Sequence, residues 1–300
     1  MSWDGLLGPL QRLPGTALLD DWHARVQQHP GDAAPFARAL LGGRLAATPG
    51  LAFLAGYQQA LRALWPEAPK GLGALCATEN RRLRPADMTT RSAAGHLVGA
   101  KDFVTAGAAV SWLLVPAREE GADEAPRLGM YLLSATAGGV TLEAGSPLPL
   151  VPDIPHARLR LTEAAGQRLA GDGWDDYVKP FRTLEDLYVL VALAGWLYGV
   201  ALEHAWPQGL LLRLTGVLAG AAEVARQPVG EAATHVLLAA LSEQFATLQA
   251  ELERALVSTP GAWSALWLRD RAVLGLARGA QAERLRKALL QLGIESPVSS

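Results

Sequence analysis

Cysteine is nearly absent from this 300-residue chain, in which Cys76 is the only one. A single thiol excludes an intramolecular disulfide and a thiolate metal cluster, and it is typical of proteins kept in a reducing compartment. The opening residues carry Asp4 and no basic stretch before a short apolar run, so they predict no secretion signal. We therefore expect a cytoplasmic protein.

The chain also lacks an excess of charge of either sign. Its 27 basic and 29 acidic residues give a formal net charge of −2, and neither sign forms a long run. Binding to nucleic acid or to an anionic membrane surface requires a basic stripe or patch. The sequence therefore predicts neither partner.

Several motifs that mark nucleotide, metal or nucleophile chemistry are missing. We find no G-x-G-x-x-G after a strand, no P-loop, no H-E-x-x-H, no C-x-x-C and no G-x-S-x-G. The six histidines are scattered, with no pair at the spacing of metal ligands. The sequence therefore predicts no metal site and no Rossmann or Walker nucleotide site.

One hydrophobic run, "LYVLVALAGWLYGVALEHAW", has about the length of a membrane span. Glu185 and Asp186 adjoin one end of the run, Glu203 and His204 interrupt the other, and no basic flank fixes an orientation. These features favour a buried helix of a bundle over a membrane span.

Hydrophobic periodicity divides the chain into three parts. Helical spacing runs from about residue 18 to 65, short apolar runs rich in Val and Thr follow, and helical spacing returns after "GDG" at 171–173. The sequence thus predicts an α+β fold: a short N-terminal helical domain over 1–72, a small antiparallel β-domain over 73–166, and a C-terminal four-helix bundle over 167–300. A strand-rich insert between two helical regions is uncommon.

The internal motifs resemble those of the acyl-CoA dehydrogenases, in the same order. "LCATEN" at 75–80, "ADMTTR" at 86–91 and "HLVGAKDFVTAGAAVSWLLVPA" at 96–117 are similar to that family's middle domain. "AGDGWDDYV" and the long apolar run resemble its entry into the C-terminal bundle, and "WLRDRAVLGLARGAQAERL" resembles its closing segment.

The resemblance implies a flavoprotein that acts in fatty acid metabolism. In the family, the β-domain covers FAD and the bundle supplies the pocket for an acyl thioester such as an acyl-CoA, which loses an α-proton to a carboxylate and a β-hydride to the flavin. The FAD-binding positions would be Leu75, Thr78, Phe103 and Thr105. The alternative is that these are ordinary strand residues, since Thr and Phe are common in strands.

The closing segment departs from the family's pattern at the position of the catalytic base. Arg278 stands where the closing segment usually has glutamate, and arginine remains protonated. Some members place the base on the first bundle helix instead, and there this chain has Glu185. A second interpretation of Thr183 to Asp186 is a helix start, with Thr183 as the cap.

Other departures concern the phosphates and the partner subunit. The segment "TENRRLRPAD" lacks the family's small Gly-Ser pair, and its arginines Arg81, Arg82 and Arg84 either meet phosphate or form a solvated loop. The sequence also lacks the segments with which, in the family, a neighbouring subunit binds FAD.

Two functions follow from this mixture of matches and departures. One is an acyl-CoA dehydrogenase-like enzyme, and the other is a catalytically inactive homologue that serves a full-length dehydrogenase as a partner or regulatory subunit. A helical scaffold unrelated to the family is a third interpretation. Broad apolar faces on the bundle helices predict a homo-oligomer.

Overall fold

The structure is a computed structural model that describes residues 3–15, 18–30, 34–119 and 127–295. The chain divides into two compact units. The helical unit takes Met1–Gly15, Pro30–Ala60 and Thr183–Ser300, and the β-unit takes Thr16–His29 and Leu61–Arg182. The domain boundaries predicted after residues 72 and 166 remain predictions.

The N-terminal region is helical, as its spacing predicts. The helices are α1 (Asp4–Leu7), α2 (Leu19–Gln28), α3 (Pro35–Leu45) and α4 (Pro49–Leu64). Proline occupies the first turn of α3 and of α4, where its missing N–H costs nothing and its fixed φ suits a helix start.

The C-terminal region is confirmed as helical, but its described residues form six α-helices rather than four. A π-helical turn (Gly173–Val178) leads into the following helices: α5 (Lys179–Glu203), α6 (Gln208–Val224), α7 (Ala232–Ala246), α8 (Gln249–Ser258), α9 (Ala262–Asp270) and α10 (Arg278–Gln291). The break between α7 and α8 falls at Thr247 and Leu248, which carry no Gly or Pro signal. A 3₁₀ turn (Arg271–Gly275) follows α9.

The β-unit holds one sheet, whose described strands number eight. They are β1 (Gly73–Leu75), β2 (Arg91–Ala93), β3 (His96–Thr105), β4 (Trp112–Glu119), β5 (Arg127–Ser134), β6 (Val140–Ala144), β7 (His156–Ala165) and β8 (Gln167–Arg168). Their order is β6-β7-β3-β2-β4-β5-β8, with β1 also paired to β4.

This sheet is mixed, which corrects the antiparallel prediction. β1 and β2 both run parallel to β4, with Gly73 opposite Trp112 and Arg91 opposite Arg118, while the other strand pairs are antiparallel. Parallel pairing needs a crossover connection rather than a tight hairpin. The alternation of apolar residues along each strand carries no information on that choice.

Helix α5 forms the core of the helical unit, and glycines let its neighbours approach closely. A Cβ on Gly43 of α3 would overlap the Ala192 carbonyl of α5, and one on Gly56 of α4 would lie 2.5 Å from the Tyr188 carbonyl oxygen. The helical stretch Gly173–Glu203 is long and apolar enough to cross a membrane, yet 83% of its most apolar window is buried inside the protein. Such burial is typical of a core helix.

Candidate functional site

An irregularity in β3 brings Phe103 and Thr105 to the outer surface of the sheet. Lys101 pairs with Leu159 of β7 and Val104 pairs with Ala157, so three steps along β3 match two along β7. This extra residue is a β-bulge, which re-aims side chains. Lys101 and Val104 are therefore buried, whereas Phe103 is 44% exposed and Thr105 is half-buried.

A backbone hydrogen bond joins Thr78 to Asp102, the residue before Phe103. The amide of Asp102 donates to the Thr78 carbonyl oxygen at 2.9 Å. The structure thus brings together Thr78, Phe103 and Thr105, which the resemblance selects as binding positions. The hydroxyls of Thr78 and Thr105 have no hydrogen-bond partner among the residues that the structure describes.

Leu75, the fourth predicted position, ends β1 of the same sheet. It pairs with Leu114 of β4 and is half-buried. The next residue, Cys76, is a free and fully buried cysteine. Burial raises the pKa of its thiol to about 12, so Cys76 is a packing residue rather than a nucleophile.

A buried ion pair, which sequence reasoning missed, lies directly next to Thr78 and Asp102. Lys101 Nζ donates to Glu79 Oε1 at 2.6 Å and to the Pro116 carbonyl oxygen at 2.8 Å. Glu79 also accepts from the Thr89 amide at 2.6 Å and the Thr89 hydroxyl at 2.7 Å. Burial opposes its ionisation, but Lys101 and the Thr89 bonds lower the pKa of Glu79 to about 2.

Sequence carried one usable signal for this pair. Lys101 stands at an inward position of β3, between Leu97 and Val104, which are both fully buried. A lysine at such a position is almost never tolerated without a partner. The partner itself, 22 residues away, becomes visible only in the folded sheet.

The segment after Thr78 forms a tight turn that exposes basic side chains. Glu79 and Arg82 exchange both backbone hydrogen bonds, at 2.8 and 3.0 Å, and Asn80 and Arg81 at the tip have φ of 50° and 60°. The Arg81 amide donates to Asp102 Oδ2 at 2.6 Å. Arg82 lies 3.5 Å from Asp87, and Arg81 and Arg84 are exposed.

These residues fit the ring of a flavin. An exposed aromatic side chain provides a flat apolar cover, and the partnerless hydroxyls of two threonines in the same segments provide hydrogen-bonding groups. The exposed arginines of the turn have the charge needed to bind a phosphate. The turn lacks the small Gly-Ser pair that the resemblance calls for next to the pyrophosphate. Thr78, Phe103, Thr105 and the Leu75 backbone are the groups that would hold FAD.

Glu185 belongs to the helical unit and lies within α5, near its beginning. The helix-start interpretation of Thr183 to Asp186 is wrong, because the helical stretch begins ten residues earlier. Its cap is Asp172, whose Oδ1 accepts from the amides of Trp174 and Asp175, both at 2.8 Å. Glu185 is half-buried, and its neighbour Asp186 forms an ion pair with Arg284 of α10.

A cavity of about 850 Å³ lies within the helical unit, and Arg278 lines it. Its walls come from α5, α7, α8, α9, α10 and the turn before α10. No pattern in the sequence indicated it. Among the described residues, no group of three His, Cys, Asp or Glu side chains is placed to hold a metal ion.

Solved structures share this architecture. FkbI for biosynthesis of the methoxymalonyl extender unit of Fk520 polyketide immunosuppressant matches with a TM-score of 0.67 and 20% identity, over 99% of this chain and 94% of that chain. PigA with FAD and proline matches with a TM-score of 0.67 and 14% identity, over 93% and 91%.

Butyryl-CoA dehydrogenase from Megasphaera elsdenii matches with a TM-score of 0.64 and 14% identity, over 86% of this chain and 83% of that chain. No protein-family model and no curated protein matches the sequence. The structural likenesses show that the chain has the acyl-CoA dehydrogenase fold, which confirms the predicted order of N-terminal helices, central sheet and C-terminal helices.

Proposed function

We propose that this chain of acyl-CoA dehydrogenase fold binds FAD and dehydrogenates an acyl thioester between its α and β carbons. The observation that carries the proposal is the outer surface of the β-unit, where exposed Phe103 lies with the partnerless hydroxyls of Thr78 and Thr105. Two structural neighbours support the chemistry by their names, since one is PigA with FAD and another is a butyryl-CoA dehydrogenase.

The β-unit would hold the cofactor. Phe103 would cover the flavin ring, the two hydroxyls would bond its polar edge, and the Leu75 backbone would add a further contact. Two contacts fix these groups relative to one another: the backbone hydrogen bond of Asp102 to Thr78 and the buried ion pair of Glu79 with Lys101. Little conformational entropy is therefore lost when the cofactor binds. When bound, FAD would accept the hydride equivalent that leaves the β-carbon.

The helical unit would supply the base. The α-hydrogen of a thioester is weakly acidic, so its removal needs a carboxylate in a partly dehydrated position. Glu185 is half-buried within α5, and the helix-start role that would have explained it belongs to Asp172. The charge of adjacent Asp186 is compensated by Arg284, so Glu185 does not lie beside a second uncompensated acid.

One observation favours the second candidate function, a catalytically inactive partner or regulatory subunit of a complete acyl-CoA dehydrogenase. Arg278 lines the cavity of the helical unit at the position where the resemblance calls for glutamate. A guanidinium there can attract a negative charge but cannot accept a proton. This function predicts that FAD binds without being reduced by any acyl thioester.

We further propose a cytoplasmic homo-oligomer. Exposed leucines on the bundle helices support self-association, among them Leu212 of α6 at 60% exposure and Leu268 of α9 at 52%. Large apolar patches on a protein surface mark interaction sites, and most soluble oligomers are homo-oligomers.

Anaerobic mixing with acyl-CoAs tests the base directly. We expect the flavin absorbance of the FAD-loaded protein to bleach with butyryl-CoA or octanoyl-CoA, and the bleaching rate to fall at least a hundredfold in Glu185→Gln. Glu223→Gln, which changes an exposed acid of α6, is the matched control. Bleaching that persists in Glu185→Gln rejects Glu185 as base, and FAD binding with no bleaching in any protein favours the inactive homologue.

A further inference from the structure

The cavity of the helical unit has two kinds of wall. Its volume of about 850 Å³ lies in the range of pockets that hold small organic ligands. One wall is apolar and includes Leu190, Leu238, Phe245, Trp267 and Leu285. The other is polar and contains His235, Ser242 and Gln281, together with three arginines and three acids. A ligand with an apolar body and a polar end would match both walls.

Two residues of the cavity lining, Trp267 and His235, carry buried ring nitrogens without a hydrogen-bond partner among the described residues. Trp267 Nε1 is buried without a partner in the described part of the chain, and Trp267 is only 1% exposed. His235 Nδ1 is also buried without a partner among the described residues, and in one tautomer of the ring it carries a proton and can donate a hydrogen bond. The Ser242 hydroxyl, by contrast, already donates to the Leu238 carbonyl oxygen at 2.9 Å. Both ring nitrogens are enclosed by protein atoms, so the charge of a ligand is decided by the ionised side chains of the lining.

The arginines define the charge of that ligand. Arg271 lies 2.9 Å from Glu253, and Arg284 pairs with Asp186. Arg278 forms no ion pair with any residue that the structure describes. One acid of the lining, Glu243, is exposed and likewise makes no ion pair within the described ranges. Arg278 is therefore the cation available to a bound anion.

The position of Arg278 strengthens this point. It is the first residue of α10, a helix of 14 residues whose N-cap, Ala277, makes no side-chain capping bond. A helix N-terminus carries partial positive charge and unsatisfied amides, so a cation there is unfavourable by itself. An anion bound at this end would satisfy both the guanidinium and the amides.

We infer that this cavity is a binding site for an amphipathic monocarboxylate, whose carboxylate meets Arg278 and the start of α10 while its apolar body lies against Leu190, Leu238 and Trp267. The carboxylate belongs either to a free acid or to the far end of an acyl group carried on a thioester. The inference uses residues of the helical unit alone, so it does not depend on flavin binding.

Octanoate is the probe for the free acid. We expect it to bind the full-length protein in calorimetric titration and to change tryptophan fluorescence through Trp267, whereas octan-1-ol of equal length binds at least tenfold more weakly. Arg278→Gln should weaken octanoate binding about 10- to 100-fold, the usual worth of a charge-assisted hydrogen bond. Arg286→Gln, which alters another exposed arginine of α10 that does not line the cavity, should have no effect.

A second arm distinguishes the source of the carboxylate. A preference for adipyl-CoA over hexanoyl-CoA that Arg278→Gln removes would identify the acyl group as the carrier. Arg278-dependent binding of octanoate without that preference would identify a free acid. The inference is overturned if neither carboxylate binds in an Arg278-dependent way, if octan-1-ol binds as tightly as octanoate, or if Arg286→Gln weakens binding as much as Arg278→Gln.

Discussion

Lys101 Nζ lies 2.6 Å from Glu79 Oε1 inside the β-unit, and the two side chains are 0% and 3% exposed. The neighbouring residues Thr78 and Asp102 are joined by a backbone hydrogen bond. Glu79 follows Thr78 in the sequence, and Lys101 precedes Asp102. The ion pair and the backbone bond together hold the Thr78 segment against β3. This relationship ties Thr78 to Asp102, the residue before Phe103, in the region proposed to bind the flavin.

Removing one member of this pair should be far more damaging than removing both. Glu79→Gln or Lys101→Met leaves a buried charge without a counter-ion, and we expect each to lower the free energy of unfolding by about 3–5 kcal/mol. The double variant should recover most of that loss. Urea unfolding monitored by far-UV circular dichroism measures all three, and additive losses in the double variant would show that the two charges are not coupled.

The same pair predicts a pH dependence of stability. Glu79 has a pKa lowered to about 2 in the folded protein, against an ordinary value of 4.5. A lowered pKa contributes stability that is complete above the unfolded value and is lost as the pH falls toward the folded one. The stability advantage of the wild type over Glu79→Gln should therefore shrink by about 2 kcal/mol between pH 6 and pH 3. An advantage that stays constant over this interval would contradict the prediction.

Close packing of α3 on α5 predicts a sharp penalty at Gly43. Any side chain there overlaps the Ala192 carbonyl, so we expect Gly43→Leu to destabilise by more than about 3 kcal/mol, at the upper end of overpacking costs. Gly209 near the start of α6 has no atom within 4 Å of an added Cβ, and Gly209→Ala should be neutral or slightly stabilising. Thermal unfolding of the two variants measures the contrast, and similar melting temperatures would refute the close approach.

Phe103 should matter for FAD and not for folding. Because its ring is 44% exposed, Phe103→Ala should change the free energy of unfolding by less than about 1 kcal/mol. Its affinity for FAD, followed by quenching of flavin fluorescence, should fall about tenfold or more. Val98 is 48% exposed on the same strand, and Val98→Ala is the control that should alter neither quantity. Equal FAD affinities in the two variants would show that Phe103 does not cover the ring.

Much of the architecture was predictable from local pattern. The change from helical to strand periodicity located the β-unit, and the order of loose motifs from Leu75 onward identified the fold. The buried role of Cys76 and of the apolar run in α5 also followed from composition. These properties depend on residues that are close together in the sequence.

The remaining features depend on contacts between distant segments. The parallel direction of β1 against β4 comes from a crossover, and the pairing of Glu79 with Lys101 joins residues 22 apart. The helix-start interpretation of Thr183 was wrong because Asp172, which precedes the π-helical turn, already provides the cap. The cavity around Arg278 arises from six segments that meet only in the folded helical unit.

The visible absorption spectrum of the purified protein after incubation with excess FAD and removal of free cofactor tests the account most directly. We expect about one bound flavin per chain, with a band shape shifted from that of free FAD because the ring lies against Phe103. A protein that stays colourless after reconstitution, while remaining folded by circular dichroism, would contradict the proposed flavin function at its central point.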